Sequence, residues 1–348
     1  MNTLKSVFWF LKYPLLVMIA AVAAVGVVGG SKQAVVVATL VILEVSLSFD
    51  NAVINAIVLR RLNFFWQKIF MTVGMVVAVV GMRLFFPVAI VVATSGLSFG
   101  SVTDLILHQP LEYGLRLEQA HPVIAAFGGI FLLMIFLDFV LDEGKKIHWI
   151  AVVERPLAKV GQLKALSTLI ALVALLIVAL TWGHTEPARV ILAGITGLST
   201  YLAVRGFSQL FEKMGGIKPE AGPGGRLGAG LGGRTAFWLF VYLEVLDASF
   251  SFDGVVGAFA ITNNVLSIVI GLGVGAYFVR QLTLWLVRND TLQQFIYLEH
   301  GAHYAVGALA VLLGASLQYK IPDLITGLVG VLFIGLALAS SFWSEAKA

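Results

Sequence analysis

Long apolar stretches separated by short polar segments run through the whole chain. Each is long enough for a helix that crosses a bilayer, which needs about 20 apolar residues. The pattern therefore predicts an all-α polytopic membrane protein. Ten membrane-spanning helices are predicted, at 13–30, 34–59, 69–95, 122–141, 165–182, 188–210, 235–262, 265–287, 301–318 and 321–343.

The composition supports this fold class and excludes others. Hydrophobic residues make up 59% of the 348 residues and charged residues only 12%, whereas a soluble domain has roughly 45–50% apolar and about 25% charged residues. A water-soluble enzyme is therefore excluded, and the lipid bilayer is the first predicted partner. The chain has no cysteine, which excludes disulfides and thiolate metal sites.

The basic residues indicate the orientation in the membrane. Most of the 23 Lys and Arg residues lie in loops on the side that holds both termini. Cytoplasmic loops are enriched in Lys and Arg, so both termini are predicted to be cytoplasmic. No basic run with interleaved aromatic residues occurs, and nucleic acid is not expected as a partner.

A short acidic motif occurs twice. Residues 44–52 read Glu-Val-Ser-Leu-Ser-Phe-Asp-Asn-Ala, and residues 247–255 read Asp-Ala-Ser-Phe-Ser-Phe-Asp-Gly-Val. Glu244 adds an acid one turn before the second copy. In this register the acids coincide as Glu44 with Asp247 and Asp50 with Asp253.

The repeat extends beyond the motif. Arg83 in the third predicted span corresponds to Arg280 in the eighth. Two five-helix repeats are predicted, at 1–182 and 183–348, with a glycine-rich cytoplasmic linker at 212–234 inside the second. An odd number of spans per repeat inverts the second half relative to the first.

Five acids lie inside predicted spans, and each charge near the bilayer centre costs about 2.5–3.5 kcal/mol. They must therefore be paired, protonated or directed at a polar cavity. Glu44 and Asp50 are six residues apart, which is about 240° around a regular helix. A shared face requires a break, so helices two and seven are predicted to be broken. The acids are Glu44, Asp50, Glu244, Asp247 and Asp253.

The polar residues around these acids supply oxygen ligands. Carboxylates, amides and hydroxyls together favour a hard divalent cation such as Mn²⁺, Ca²⁺ or Mg²⁺. Arg83 and Arg280 are predicted counter-ions or gating residues. His303, with Glu299 and His300 nearby, is a candidate proton relay or part of a second metal site. The alternative is that the acids pair with arginines only for packing. The supporting polar residues are Ser48, Asn51, Asn55 and Ser251.

Two further polar segments are assigned to solvent. The external connection 96–121 is predicted to be a solvated loop in preference to a helix over the outer face. Asp138, Asp142 and Glu143, at the cytoplasmic end of the fourth span, are expected at a solvated interface.

Several signatures of membrane and soluble enzymes are absent from the sequence. The Gly-x-Gly-Asp signature of intramembrane aspartyl proteases does not occur, and neither do Walker or His-Glu-x-x-His patterns. We therefore expect no enzymatic activity and no organic cofactor.

The first motif resembles the signature of the TerC family of integral membrane proteins, Glu-x-x-Leu-Ser-x-Asp-Asn-Ala. Phe250-Ser251-Phe252-Asp253 resembles that family's second acidic motif, except that Gly254 replaces the usual Ser. The resemblance implies a bacterial inner-membrane protein grouped with LysE-type transporters. It further implies metal-site positions at Glu44, Asp50, Asn51, Asp247 and Asp253.

The residues and the resemblance together predict export of a divalent cation, with Mn²⁺ favoured. The expected mechanism is alternating access, and protons are the candidate coupling ions. Two alternatives stay open at this point. One is a membrane scaffold or metal sensor in a tellurium or stress-resistance complex. The other is a LysE-type small-solute exporter, for which Arg83 or Arg280 would supply the anion-binding element.

Overall fold

A computed structural model describes residues 3–161, 165–181, 186–214, 230–262, 264–289 and 295–345. Within these ranges the structure describes the backbone only, without side chains, at residues 3–11, 50, 208–209, 211–214, 251–253, 256–257, 260, 323–324 and 345. Most of the predicted glycine-rich linker also lies outside the described residues.

The described part of the chain is helical apart from its connections. No strand forms there, and an isolated bridge joins Leu62 to Leu231. In chain order the helices are α1 Thr3–Leu47, α2 Phe49–Leu59, α3 Phe64–Val76, a π-helix π1 Val77–Phe85, α4 Phe86–Ser95, α5 Phe99–His108, α6 Pro110–Val140, α7 Ala151–Val160, α8 Leu166–Thr181, α9 Pro187–Met214, α10 Gly233–Ile261, α11 Val265–Arg288, α12 Leu298–Ala315 and α13 Asp323–Glu345.

Six helical segments in the described residues are long and apolar enough to cross a membrane. The chain is therefore described as a multi-pass membrane protein, while the total of ten spans stays a prediction. The six segments are Lys12–Leu47, Phe64–Ser95, Pro110–Val140, Pro187–Phe207, Val265–Arg288 and Ile325–Ser344.

Two interruptions shape the N-terminal part. Gly30 has a φ of 83° and divides α1 where the first two spans were predicted to meet. This φ lies in the left-handed region that glycine adopts without steric cost. The chain leaves helical geometry again at Ser48, between α1 and α2, within the segment where the sequence predicts a break.

The break predicted in the second motif is wrong. Helix α10 continues without interruption from Gly233 to Ile261. Glu244 and Asp247 are three residues apart and therefore lie on the same face of a regular helix. Because this spacing brings two acids together, the second motif needs no unwinding to present a pair of carboxylates.

The segment 96–121 is helical, so its assignment to a solvated loop is also wrong. Ser98 caps α5 by accepting a hydrogen bond from the Ser101 backbone N–H, and Pro110 begins α6. Proline is favoured in the first turn of a helix. Tyr113 and Leu117 are buried. They are four residues apart and therefore lie on one face of α6, which packs the start of this helix against the bundle.

Helix α6 lies at the centre and packs against α9, α10 and α12, while α1 packs along α11. One end of the bundle holds the Leu62–Leu231 bridge. Two hydrogen bonds accompany this bridge: the Leu231 N–H donates to the Arg61 carbonyl, and the Asn63 N–H donates to the Leu231 carbonyl. We call this the linker end. Helix α5 and the end of α10 around Phe259 lie at the opposite end.

Candidate functional site

The first acid of the first motif is neutralised by an arginine. Glu44 is buried near the end of α1, and an Arg83 guanidinium nitrogen contacts its Oε1. The same oxygen accepts a hydrogen bond of 3.1 Å from Ser48 Oγ. A buried carboxylate with both an ion pair and a hydroxyl donor is well compensated for its loss of water.

Arg83 lies in π1, the π-helical segment Val77–Phe85. Its second terminal nitrogen donates to the backbone carbonyl of Ala78, five residues earlier. π-Helical turns are rare and occur frequently at functional sites. Here the widened turn places the guanidinium where it bridges a backbone oxygen and the Glu44 carboxylate.

The second motif carries a matching pair. Arg280 Nη2 lies 3.0 Å from Asp247 Oδ2 and 3.1 Å from Glu244 Oε2. Its Nη1 donates to the Phe70 carbonyl at 2.7 Å, and the guanidinium lies over the Phe70 ring. A side chain at Gly74 would overlap both Arg280 and Glu244. Glycine there leaves the room that the arginine occupies.

The two motifs meet in one buried cluster. Asn51 Nδ2 donates a hydrogen bond of 2.6 Å to Asp247 Oδ1. The backbone of Gly275 packs so closely on Glu44 that an added Cβ would lie 2.5 Å from the Glu44 Cβ. A Cβ on Gly254 would lie 2.9 Å from Glu44 Oε2. The cluster therefore joins α1, α2, π1, α10 and α11.

The charges of the described cluster do not cancel. Glu44, Glu244 and Asp247 face two guanidiniums, which leaves one formal negative charge in a buried site. A proton or a cation would neutralise that charge. Within the described residues no group of three or more His, Asp or Glu has an arrangement that could hold a metal ion.

Most of the predicted site residues come together. Those in the cluster are Glu44, Ser48, Asn51, Arg83, Glu244, Asp247 and Arg280. Asn55 lies one turn beyond Asn51; its Oδ1 is buried, and no hydrogen-bond partner for it is found in the described part of the chain. The side chains of Asp50, Ser251 and Asp253 lie outside the described residues.

His303 lies apart from the cluster. Its Nδ1 is 2.7 Å from the Glu299 carbonyl, and its ring stacks on Phe139 at 3.9 Å between centroids. The ring also lines a cavity of about 320 Å³ at the linker end. A proton relay through His303 stays a prediction.

A second polar cluster at the linker end was missed by the sequence reasoning. The Glu154 side chain is fully buried, its Oε1 accepts from the Ile150 N–H, and its Oε2 lies 2.9 Å from Lys145 Nζ. His148 and His300 each approach Oε2 at 3.5 Å. The sequence shows only that Glu154 is an acid in the first turn of α7, shortly after a basic segment. No sequence pattern connects Glu154 to His300.

Glu154 is expected to make stability depend on pH. Burial raises the pKa of Glu154, but hydrogen bonds from Lys145 and the Ile150 N–H, with the nearby positive charge, outweigh this, and the pKa lies below 4.5. A lowered pKa stabilises the fold above the unfolded value and loses that contribution as pH falls through the folded value. We expect Glu154→Gln to lower the melting temperature at pH 7 and to reduce its decrease between pH 5 and 3.

The measurement is thermal unfolding in detergent across this pH range. Glu143→Gln is the matched control because Glu143 is exposed in the same connection, and its curve should follow the wild type. An unchanged pH profile in Glu154→Gln would contradict the assignment.

A helical, multi-pass membrane protein with a buried acid–guanidinium cluster is the class that fold and site define. Within that class, the chain belongs to the family described as Protein of unknown function (DUF475), whose model matches residues 49–347. The match includes the cluster residues from Asn51 onward and leaves Glu44 and Ser48 just outside. Comparisons with curated proteins and with solved structures found no match.

Proposed function

We propose that this protein is a secondary transporter that exports a divalent metal cation, with Mn²⁺ favoured. The observation that carries the proposal is the buried cluster in which both copies of the acidic motif meet, through the hydrogen bond from Asn51 to Asp247. Buried ionisable groups in membrane helices are costly and mark ion pathways. A cluster shared by two motif copies is where an ion between two inverted halves would bind.

The chemistry of the cluster favours a hard cation. Its donors are carboxylate, amide and hydroxyl oxygens, which suit Mn²⁺, Mg²⁺ and Ca²⁺. The excess of acids over guanidiniums supplies negative charge, and the sequence places Asp50 and Asp253 on the same segments. In the proposed cycle Arg83 and Arg280 hold the carboxylates while the ion is absent and release them when it binds.

Cavities on both sides of the cluster support alternating access. One of about 300 Å³ at the end opposite the linker is lined by Arg83, Tyr113 and Phe259. The cavity of about 320 Å³ at the linker end is lined by Tyr242, two residues before Glu244. Protonation of the carboxylates would help to release the cation, so a proton is the proposed counter-ion.

The finer assignments belong to the same proposal. The motif resemblance supports a relationship to TerC-like proteins of the bacterial inner membrane. The apolar stretches and the repeated motif support ten spans in two inverted halves, and the distribution of basic residues supports cytoplasmic termini. A link to tellurium resistance is part of that resemblance. A scaffold or metal sensor without transport is the competing function, and the two differ in whether an ion crosses the membrane.

Transport by purified protein in proteoliposomes tests the proposal. We expect Mn²⁺ flux driven by a pH gradient, and we expect Asp247→Asn to reduce it at least tenfold because it removes a carboxylate from the cluster. Asp104→Asn is the matched control, since Asp104 is exposed on α5 and pairs only with His108 among described residues. Its flux should equal the wild type.

Calorimetric titration with Mn²⁺ separates the competing functions. Binding with no flux would favour a sensor. Neither binding nor flux with Mn²⁺, Ca²⁺ or Mg²⁺ would overturn the metal assignment. Unchanged flux in Asp247→Asn would show that the cluster is not the transport site.

A further inference from the structure

Two cavities at the linker end share a wall. The larger, of about 670 Å³, lies between α6, α8, α9 and the connection that follows α6. The smaller, of about 320 Å³, lies among α2, α6, α9, α10 and α12. Asp138 and Arg205 line both cavities. These two side chains therefore stand where one cavity passes into the other.

Asp138 and Arg205 form an ion pair between α6 and α9. Arg205 Nη1 contacts Asp138 Oδ2, and the Tyr201 hydroxyl donates to the same oxygen at 2.5 Å. Arg205 also donates to the Tyr201 hydroxyl at 3.3 Å. Asp138 has a side-chain exposure of 15% and Arg205 of 43%, so the pair borders an open space and could separate without disrupting the core.

The described lining of the larger cavity is acidic. Among the described residues it contains the acids Asp138, Asp142 and Glu143 and the base Arg205, and Ser167 and Thr168 add hydroxyls. A cleft lined by an excess of one charge raises the local concentration of counter-ions. Cations would therefore accumulate on one side of the Asp138–Arg205 pair.

The smaller cavity leads toward the buried cluster. Tyr242, on its wall, is five residues before Asp247, which is about 7.5 Å along a helix. On α2, Val58 lines the cavity, and Asn51, Asn55 and Val58 share one helix face at spacings of four and three residues. The buried Asn55 Oδ1, which has no hydrogen-bond partner in the described part of the chain, therefore lies between the cavity and the cluster.

We propose that the Asp138–Arg205 ion pair, held by Tyr201, is the inner gate of the transport path. It closes the smaller cavity, which leads to the acidic cluster, from the larger cation-attracting cavity. The role of the ion pair as a gate rests on the proposed transport function. The arrangement of the pair and the two cavities does not depend on which ion is carried.

The gate can be tested by chemical accessibility because the natural chain has no cysteine. Leu239→Cys would place one thiol in the smaller cavity, of which Leu239 is a buried lining residue. The rate of labelling by a cationic methanethiosulfonate is measured on purified protein in detergent. We expect slow labelling in this parent and at least tenfold faster labelling when Asp138→Asn is added.

Two controls keep the result specific. Asp142→Asn removes an acid of the larger cavity outside the ion pair and should not accelerate labelling, because it only lowers the negative charge that attracts the cationic reagent. Exchange of the charges, Asp138→Lys with Arg205→Glu, should restore slow labelling. Melting temperatures of all variants show whether faster labelling reflects general unfolding.

The outcomes separate this proposal from the transport function. Equal labelling rates in the parent and in Asp138→Asn would overturn the gate, whatever the liposomes show. Equal acceleration by Asp142→Asn would also overturn it, because faster labelling would then not depend on the Asp138–Arg205 ion pair. Accelerated labelling in Asp138→Asn alone, with no cation flux in the wild type, would support the gate and reject the proposed cargo.

Discussion

Replacement of Arg280 with alanine is expected to destabilise the folded protein by about 3–5 kcal/mol, the range observed when one partner of a buried ion pair is removed. Arg280 is 2% exposed and contacts both Glu244 and Asp247. Without it, two carboxylates stay buried with no opposite charge beside them. The Phe70 carbonyl also loses the hydrogen bond that Arg280 donates.

Thermal and denaturant unfolding in detergent measure this loss. Arg288→Ala is the matched control because Arg288 is exposed at the end of the same helix, and surface changes stay within about 0.5 kcal/mol. Addition of Glu244→Gln and Asp247→Asn to Arg280→Ala should recover part of the stability. An effect of Arg280→Ala as small as that of Arg288→Ala would contradict the described ion pairs.

Replacement of Gly275 with alanine should cost about 1–3 kcal/mol, as overpacking of a tight core does. An added Cβ would lie 2.5 Å from the Glu44 Cβ and 2.6 Å from its Cγ. Because the Glu44 Cβ is attached directly to the α1 backbone, it cannot move aside without shifting the helix. The change should also displace the Glu44 carboxylate from Arg83 and lower cation flux.

Gly335→Ala is the control for this change. Gly335 lies in α13, and an added Cβ there would meet nothing within 4 Å. Alanine favours helix over glycine by about 0.8–1.0 kcal/mol, so Gly335→Ala should be neutral or stabilising. Equal effects of the two substitutions on the melting temperature would show that α1 and α11 do not pack as closely as described.

Local patterns predicted much of the fold because hydropathy is a property of contiguous residues. The boundary near Gly30 and the interruption near Ser48 are both marked by short sequence signals. The helix over 99–108 was missed because it is short and few of its apolar residues, chiefly Val102 and Leu105, are buried against the bundle. The unbroken α10 was missed because Glu244 was treated as an acid outside the second motif. Its three-residue spacing from Asp247 places both carboxylates on one helix face without a break.

The candidate site could be predicted in its residue types but not in its contacts. Motif repetition singled out Glu44, Asp247 and the two arginines. Nothing local indicates that Asn51 donates to Asp247, 196 residues away. The same holds for Glu154 and His300, which are adjacent only because the segment after α6 packs on the start of α12.

The sequence by itself determined that this chain has membrane-spanning helices and that several acidic residues lie within them, where a charge is energetically costly. Those properties follow from composition and spacing along one segment. Only the tertiary structure decided which guanidinium neutralises which carboxylate, and that Asp138 pairs with Arg205 where two cavities meet. Such pairings depend on the rotation and separation of packed helices, which no single segment encodes.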